Sequence, residues 1–306
     1  MGTPAPLRGM LLVLGLLPAA ALADEGFGQR ILGTLGLDAG TQSASGFYYG
    51  DRFILFTADR LLGRDGQPLP VRGLDMSAFA NIFGMAGTWQ FGDGPYYTAA
   101  FAVPVAGMRL RSDLPPNTLD RQGLGDIFLS PIKLGWRFPR LDLVSSYSLY
   151  APTGQLNRRG VAQPQWTHQV SAGGTVFFDD ERASRLSALT SYNLYERKPG
   201  LDVTRGDTVQ IQGGIGSRLF RLLDVGVVGY GFWQVAADTG SDLPASLRGI
   251  REYAVGVGPE VGILIPALQG KLTARYEWEV AGRSRLDGQV LVVSLSLLGW
   301  KPDGQD

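Results

Sequence analysis

The chain has 306 residues with 28 basic and 28 acidic side chains, so it carries no net charge and offers no broad basic surface for nucleic acid. Charged residues are 18% of the total, well under the roughly 25% of ordinary soluble domains, and 43 residues are glycine. Cysteine is absent and histidine occurs once, at His168, which removes most multi-histidine and cysteine metal sites; no metal and no cofactor are expected.

Residues 1–23 read as a secretory signal. Arg8 supplies the positive start, and Met10–Ala23 is apolar but too short for a bilayer core of about 30 Å. Ala21-Leu22-Ala23 is a small-x-small cleavage site, with Asp24 first in the mature chain and no cysteine after it to take a lipid. Residues 24–44 are glycine-rich with scattered Leu and Ile. A periplasmic segment, a lumen plug and a partly ordered lead-in all remain open for them.

From residue 45 to Trp300 strand-like alternation recurs, broken by Gly, Pro, Asp and Asn turns. The spans are 45–57, 74–91, 95–110, 125–138, 140–151, 165–178, 185–197, 206–219, 221–236, 249–265, 269–281 and 286–300. Each has about 11–18 residues, where soluble strands usually have about 3–10 and tilted membrane strands need about 9–11. About twelve strands, an even number, predict an all-β, transmembrane, antiparallel up-and-down barrel over residues 45–300. Residues 301–306 would be a C-terminal tail. Connections 58–73, 111–124 and 237–248 read as long external loops, and those between them as tight periplasmic turns.

The clearest strand is Lys271–Val280. Leu272, Ala274, Tyr276, Trp278 and Val280 alternate with Lys271, Thr273, Arg275, Glu277 and Glu279, which gives one greasy and one wet face. The same alternation elsewhere yields the candidate lumen-lining charges Lys133, Arg137, Arg218, Glu252, Glu260, Lys271, Arg275, Glu277 and Glu279, with Asp142 beside them. They either pair across strands and stiffen the wall or form a selective constriction; Glu260 and Arg275 fall on adjacent strands. Phe177, Leu189 and Tyr195 suggest a weak greasy track among them.

The six tryptophans divide into two candidate girdles, Trp166, Trp233 and Trp278 near the outer rim and Trp89, Trp136 and Trp300 near the inner rim. Trp300 is out of phase with Leu291–Leu297, so the last strand bulges or stops before it. His168 and Ser171, three apart on a strand, would point to opposite faces, which argues against a serine lipase and makes His168 a girdle residue. Gly213-Gly214-Ile215-Gly216 lacks the Lys-Ser/Thr and the helix of a phosphate loop and reads as strand curvature.

Several segments in order carry a family resemblance: Leu37-Asp38-Ala39-Gly40-Thr41-Gln42, Phe47-Tyr48-Tyr49, Ala58-Asp59-Arg60-Leu61, Gly123-Leu124-Gly125-Asp126-Ile127, Tyr150-Ala151-Pro152-Thr153-Gly154 and Trp166-Thr167-His168-Gln169. Over nearly the whole mature chain the sequence resembles the outer-membrane proteins named for the meta-pathway of phenol degradation. The resemblance implies a Gram-negative outer-membrane barrel that admits aromatic or other hydrophobic compounds, and it brings no catalytic residues. The expected role is a channel or transporter rather than an enzyme. Its expected partners are outer-membrane lipid, a small-molecule solute and the barrel assembly machinery. The alternatives are a non-transporting structural or adhesive barrel and, disfavoured, a barrel-embedded lipase.

Overall fold

The computed structural model describes residues 32–113, 116–156 and 165–301. Residues 1–23, expected as a signal sequence, residues 24–31 of the lead-in and residues 302–306 of the expected C-terminal tail lie outside the described residues. The strands are β1 (Gly46–Leu61), β2 (Asp75–Gln90), β3 (Tyr96–Asp113), β4 (Pro116–Leu124), β5 (Ile127–Phe138), β6 (Leu141–Ala151), β7 (Thr167–Phe177), β8 (Ser184–Tyr195), β9 (Thr208–Leu219), β10 (Leu223–Gln234), β11 (Tyr253–Ile265), β12 (Gly270–Arg283) and β13 (Leu286–Trp300). Neighbours pair antiparallel, and β1 pairs with β13 to close the ring. Because β3 pairs with β4 along one part and with β5 along the other, those two form one broken stave of a closed 12-strand barrel. Closure leaves no sheet edge for lipid to meet.

The short turns, such as 91–95, 139–140 and 266–269, gather at the end where β1 begins, here called the near end. The long connections 62–74 and 235–252 gather at the far end, where β6 also ends and β7 begins. Of residues 111–124, expected as a loop, 111–113 and 116–124 are instead strand: β3 runs on to Asp113 and β4 returns beside it. The Arg109–Asp120 ion pair and the facing Leu110 and Leu119 hold this hairpin. Its charge-rich sequence looks like a loop because the outer face of this extension carries Arg109, Arg111 and Asp120 where a membrane strand would carry apolar residues.

Besides a shift at Ala58–Arg60 on β1, register shifts on β5, β12 and β13 reset the faces. At Leu129–Ile132 the β5 register shifts around Pro131, which has no N–H to give the ladder. This turns Lys133, Gly135 and Arg137 inward and Ile132, Leu134 and Trp136 outward. On β12, Ala281 pairs with Val255 and Glu279 with Gly256, so Val280 has no partner. At the end of β13, Trp300 faces Phe47 and Leu298 faces Tyr48, with Gly299 the extra residue. That bulge brings Trp300 to the outer face and accounts for its phase.

The outer face is an apolar belt of exposed Phe53, Phe79, Phe83, Val227, Val261, Ile263 and Leu272, among others. So much exposed apolar surface is a membrane-contact surface. Trp89, Trp136 and Trp300 lie at the near end of their strands, Trp233 and Trp278 toward the far end, and Trp166 just before β7; all six are partly exposed.

Candidate functional site: a lumen cavity beside the N-terminal segment

Residues 32–45 run inside the barrel and are tied to its wall from β5 to β12. Leu35 N–H donates to Gln212 Oε1 (3.1 Å), Gly40 N–H to Ser187 Oγ (2.7 Å) and Gln42 N–H to Asp142 Oδ2 (3.1 Å). Thr41 and Thr175 share a hydroxyl bond of 3.0 Å, and Arg137 donates to the Gln42 carbonyl at 2.7 Å. Asp38 accepts from Arg185 at 3.0 Å and from Lys271. Two glycines make this approach feasible. A Cβ on Gly36 would fall 1.7 Å from Glu260 Oε2, and one on Gly40 would fall 2.2 Å from the Gly174 carbonyl. Asp38 feels opposing influences: burial pushes its carboxyl up, but Lys271 and Arg185 outweigh that and hold it below the usual range.

Most of the charges read from alternation are engaged. Arg218 chelates Asp224 (2.9 and 3.1 Å), which also takes Arg185 and Lys271. Arg275 pairs with Glu260 at 3.1 Å, Glu279 with Arg285 at 2.9 Å and with the Tyr230 hydroxyl at 3.1 Å, and Glu252 with Arg205 at 3.6 Å. Asp142 is held by Arg182 at 2.6 Å. Glu277 is fully buried against Gly33, and neither carboxylate oxygen has a hydrogen-bond partner. Lys133 stands apart: its side chain lines a cavity and makes no hydrogen bond or ion pair among the described residues.

That cavity has a volume of about 560 Å³ and lies between residues 34–43 and the wall from β13 through β9. One flank is apolar, built from Ile82, Ala86, Ala100, Ala102, Pro104 and Phe128. The other is a row of hydroxyls and amides. Ser148 bonds Ser130 at 3.0 Å, Ser171 bonds Ser191 at 2.9 Å, and Gln169 donates to Asn193 at 2.9 Å. Toward the far end the inner face of β13, β1, β2 and β3 stays greasy, with buried Ile54, Ala58, Met76, Ala80, Met108 and Val292. The greasy surface expected at Phe177, Leu189 and Tyr195 is smaller. Leu189 lines the cavity, while Phe177 and Tyr195 are covered by the guanidinium groups of Arg182 and Arg205.

Residues the alternation did not single out complete the site. Arg52 reaches in from β1, where Nε donates to Ser294 Oγ at 3.2 Å. Asp126 sits at the break between β4 and β5. There Gly125 N–H donates to the Pro104 carbonyl (2.8 Å), and Thr153 Oγ1 donates to the Gly125 carbonyl (2.9 Å) and accepts from Ile127 N–H (3.0 Å). Asp51 faces outward between Phe83 and Leu295, its Oδ1 buried and without a hydrogen-bond partner, in a groove of about 370 Å³ that is continuous with the cavity and shares Gly50, Asp51, Gly84 and Met85 with it, among others.

His168 and Ser171 lie on opposite faces of β7. His168 Nδ1 meets the Tyr147 hydroxyl at 2.8 Å and Nε2 meets Glu196 at 3.0 Å on the outer surface, while Ser171 faces the cavity. The described residues contain no cluster of His, Cys, Asp and Glu able to hold a metal ion.

Among solved structures the chain is similar to an outer membrane channel from Pseudomonas putida F1, at 14% identity and a TM-score of 0.71, covering 84% of this chain and 97% of that one. It is also similar to the β domain of the Bordetella autotransporter BrkA, at 14% identity and a TM-score of 0.51, covering 83% and 100%. At such identities the likeness establishes the barrel fold. No curated protein sequence matches the chain. The family described as "Putative MetA-pathway of phenol degradation" matches residues 58–295, most of the barrel, and the chain belongs to that family.

Proposed function

We propose that the protein is a channel in the outer membrane of a Gram-negative bacterium, passing small molecules with an apolar or aromatic body. The observation that carries this reading is the two-sided cavity, with an apolar flank from β2 and β3 facing a hydroxyl and amide flank from β5 to β9. A solute with one greasy and one polar edge finds matching surface on both sides, as small-molecule sites generally provide. The apolar inner surface of β13, β1, β2 and β3 continues that flank toward the far end. The family's association with phenol degradation and the likeness to an outer membrane channel support the same reading. In this setting the near-end and far-end tryptophans sit at the two membrane interfaces.

The test is reconstitution of the full mature protein into liposomes and planar bilayers. Uptake of phenol-sized aromatics above that of protein-free vesicles is expected, with small conductance because residues 32–45 narrow the lumen. A folded, heat-modifiable barrel with neither uptake nor conductance would refute the reading. The dense docking of residues 32–45 favours one second reading, a closed barrel with a structural role; that result would establish it.

A further inference from the structure

The lumen ion pairs leave a remainder. Arg52 bonds one hydroxyl, Ser294 Oγ, through Nε, and its two terminal nitrogens have no hydrogen-bond partner among the described residues. Lys133, on the other side of the same cavity, has none among the described residues. A buried cation without a counter-charge is costly, so both must be hydrated by the cavity or neutralised by something that enters it. The carboxylates nearby do not serve. Glu260, whose charge acts on Arg52, is bound to Arg275, and Asp142, whose charge acts on Lys133, stands opposite Arg137 in the register and is bound to Arg182. Asp126 lines the cavity but already has an interaction of its own. Asp51 also lines the cavity, but it follows the outward face of β1 between Phe83 and Leu295, opposite to Arg52. The cavity therefore presents two open cations opposite an apolar flank.

Building on the channel reading, we infer that this cavity is a binding subsite for an amphipathic monocarboxylate, aromatic or aliphatic. Its carboxylate would be taken by Arg52, with Lys133 as the second positive charge, and its apolar body would lie against Ala86, Ala100 and Ala102. Arg52 is suited to the head group because a guanidinium offers two parallel N–H donors that match a carboxylate, and such charge-assisted bonds are roughly twice as strong as neutral ones. The Ser294 bond fixes Nε and leaves the outer edge of the fork free. A neutral aromatic would use the same flank without the head-group contact.

The experiment compares 4-phenylbutyrate with 4-phenylbutyramide, which has the same shape and no charge, by titration calorimetry on the folded full-length mature protein in detergent. The acid should bind about tenfold or more tightly than the amide, and R52Q/K133Q should abolish the difference between them. Equal binding of acid and amide by the wild type overturns the inference, even should the double variant fail to fold. Survival of the preference in a folded R52Q/K133Q barrel overturns it as well. Vesicle uptake of the amide separates the two readings. Passage of the amide without any preference for the acid leaves the channel standing and removes the subsite. Arg52-dependent binding of the acid with no passage of either leaves the subsite and removes the channel.

Discussion

The near-end lumen and the cavity above it are built from the same residue types and do opposite things with them. Around Asp224 four groups close on one another: Arg185, Arg218 and Lys271 surround a fully buried carboxylate, and Asp38 of the N-terminal segment shares two of those cations. Around Arg52 and Lys133 the cations stay open. Charge in a lumen is thus structural where the register brings a counter-charge opposite, and available for a solute where it does not.

The largest expected effect comes from emptying the closed cluster. Asp224→Ala strands Arg218 and leaves Arg185 and Lys271 to Asp38 alone, so the barrel should lose about 3–5 kcal/mol, read as a lower midpoint of heat-modifiable migration. A midpoint equal to the wild type would mean that water serves the cluster as well as the carboxylate does. Next is Gly40→Val. Its Cβ would meet the Gly174 carbonyl at 2.2 Å, so residues 32–45 should fail to seat and bilayer conductance should rise several-fold with the barrel still folded. Unchanged conductance would show that this segment does not narrow the lumen.

Asp38→Asn is milder, because the side chain is partly exposed; its ion pairs are worth about 1 kcal/mol or less. The sign with pH follows from Asp38 being held below its ordinary value. Its contribution is complete above the unfolded carboxyl value of about 3.9 and is lost as the pH falls through the lower folded one. The conductance difference between wild type and Asp38→Asn should therefore be present at pH 7 and vanish under strong acid. A difference that grows on acidification would contradict the role given to the Asp38 ion pairs. The smallest effect is His168→Ala. It breaks contacts with Tyr147 and Glu196 on the outer surface, costs about 1 kcal/mol or less and leaves permeability unchanged. Loss of a lipid-hydrolysing activity in this variant would reopen the lipase alternative.

Much of the fold was legible because a period of two survives in single residues. In β12 the polar set Lys271 to Glu279 is the inner row and Trp278 faces out, as the contrast between faces suggests. The same device fails where both faces are greasy. In β1 the inner row continues through Ile54, Phe56 and Ala58, so Arg52 has no contrasting neighbours to mark it. Hairpin β3–β4 was unreadable for the reverse reason, its polar outer face resembling a loop. Pairing of Asp224 with Arg185 and Lys271 needs strand register and the position of residues 32–45, neither of which a local pattern contains. One signal was present without being usable. The Gly123–Ile127 and Tyr150–Gly154 segments, far apart in their roles as motifs, meet at the wall break through Thr153.

The central claim is that solute passes through the two-sided cavity, and filling it tests that claim most directly. Ala100 lies on the inner face between Ala86 and Ser130, and Ala100→Trp would occupy the space a solute needs. Uptake of a small aromatic into liposomes should be clear for the wild type and fall to the protein-free level for a folded Ala100→Trp barrel. Uptake by that variant at the wild-type rate would contradict the account.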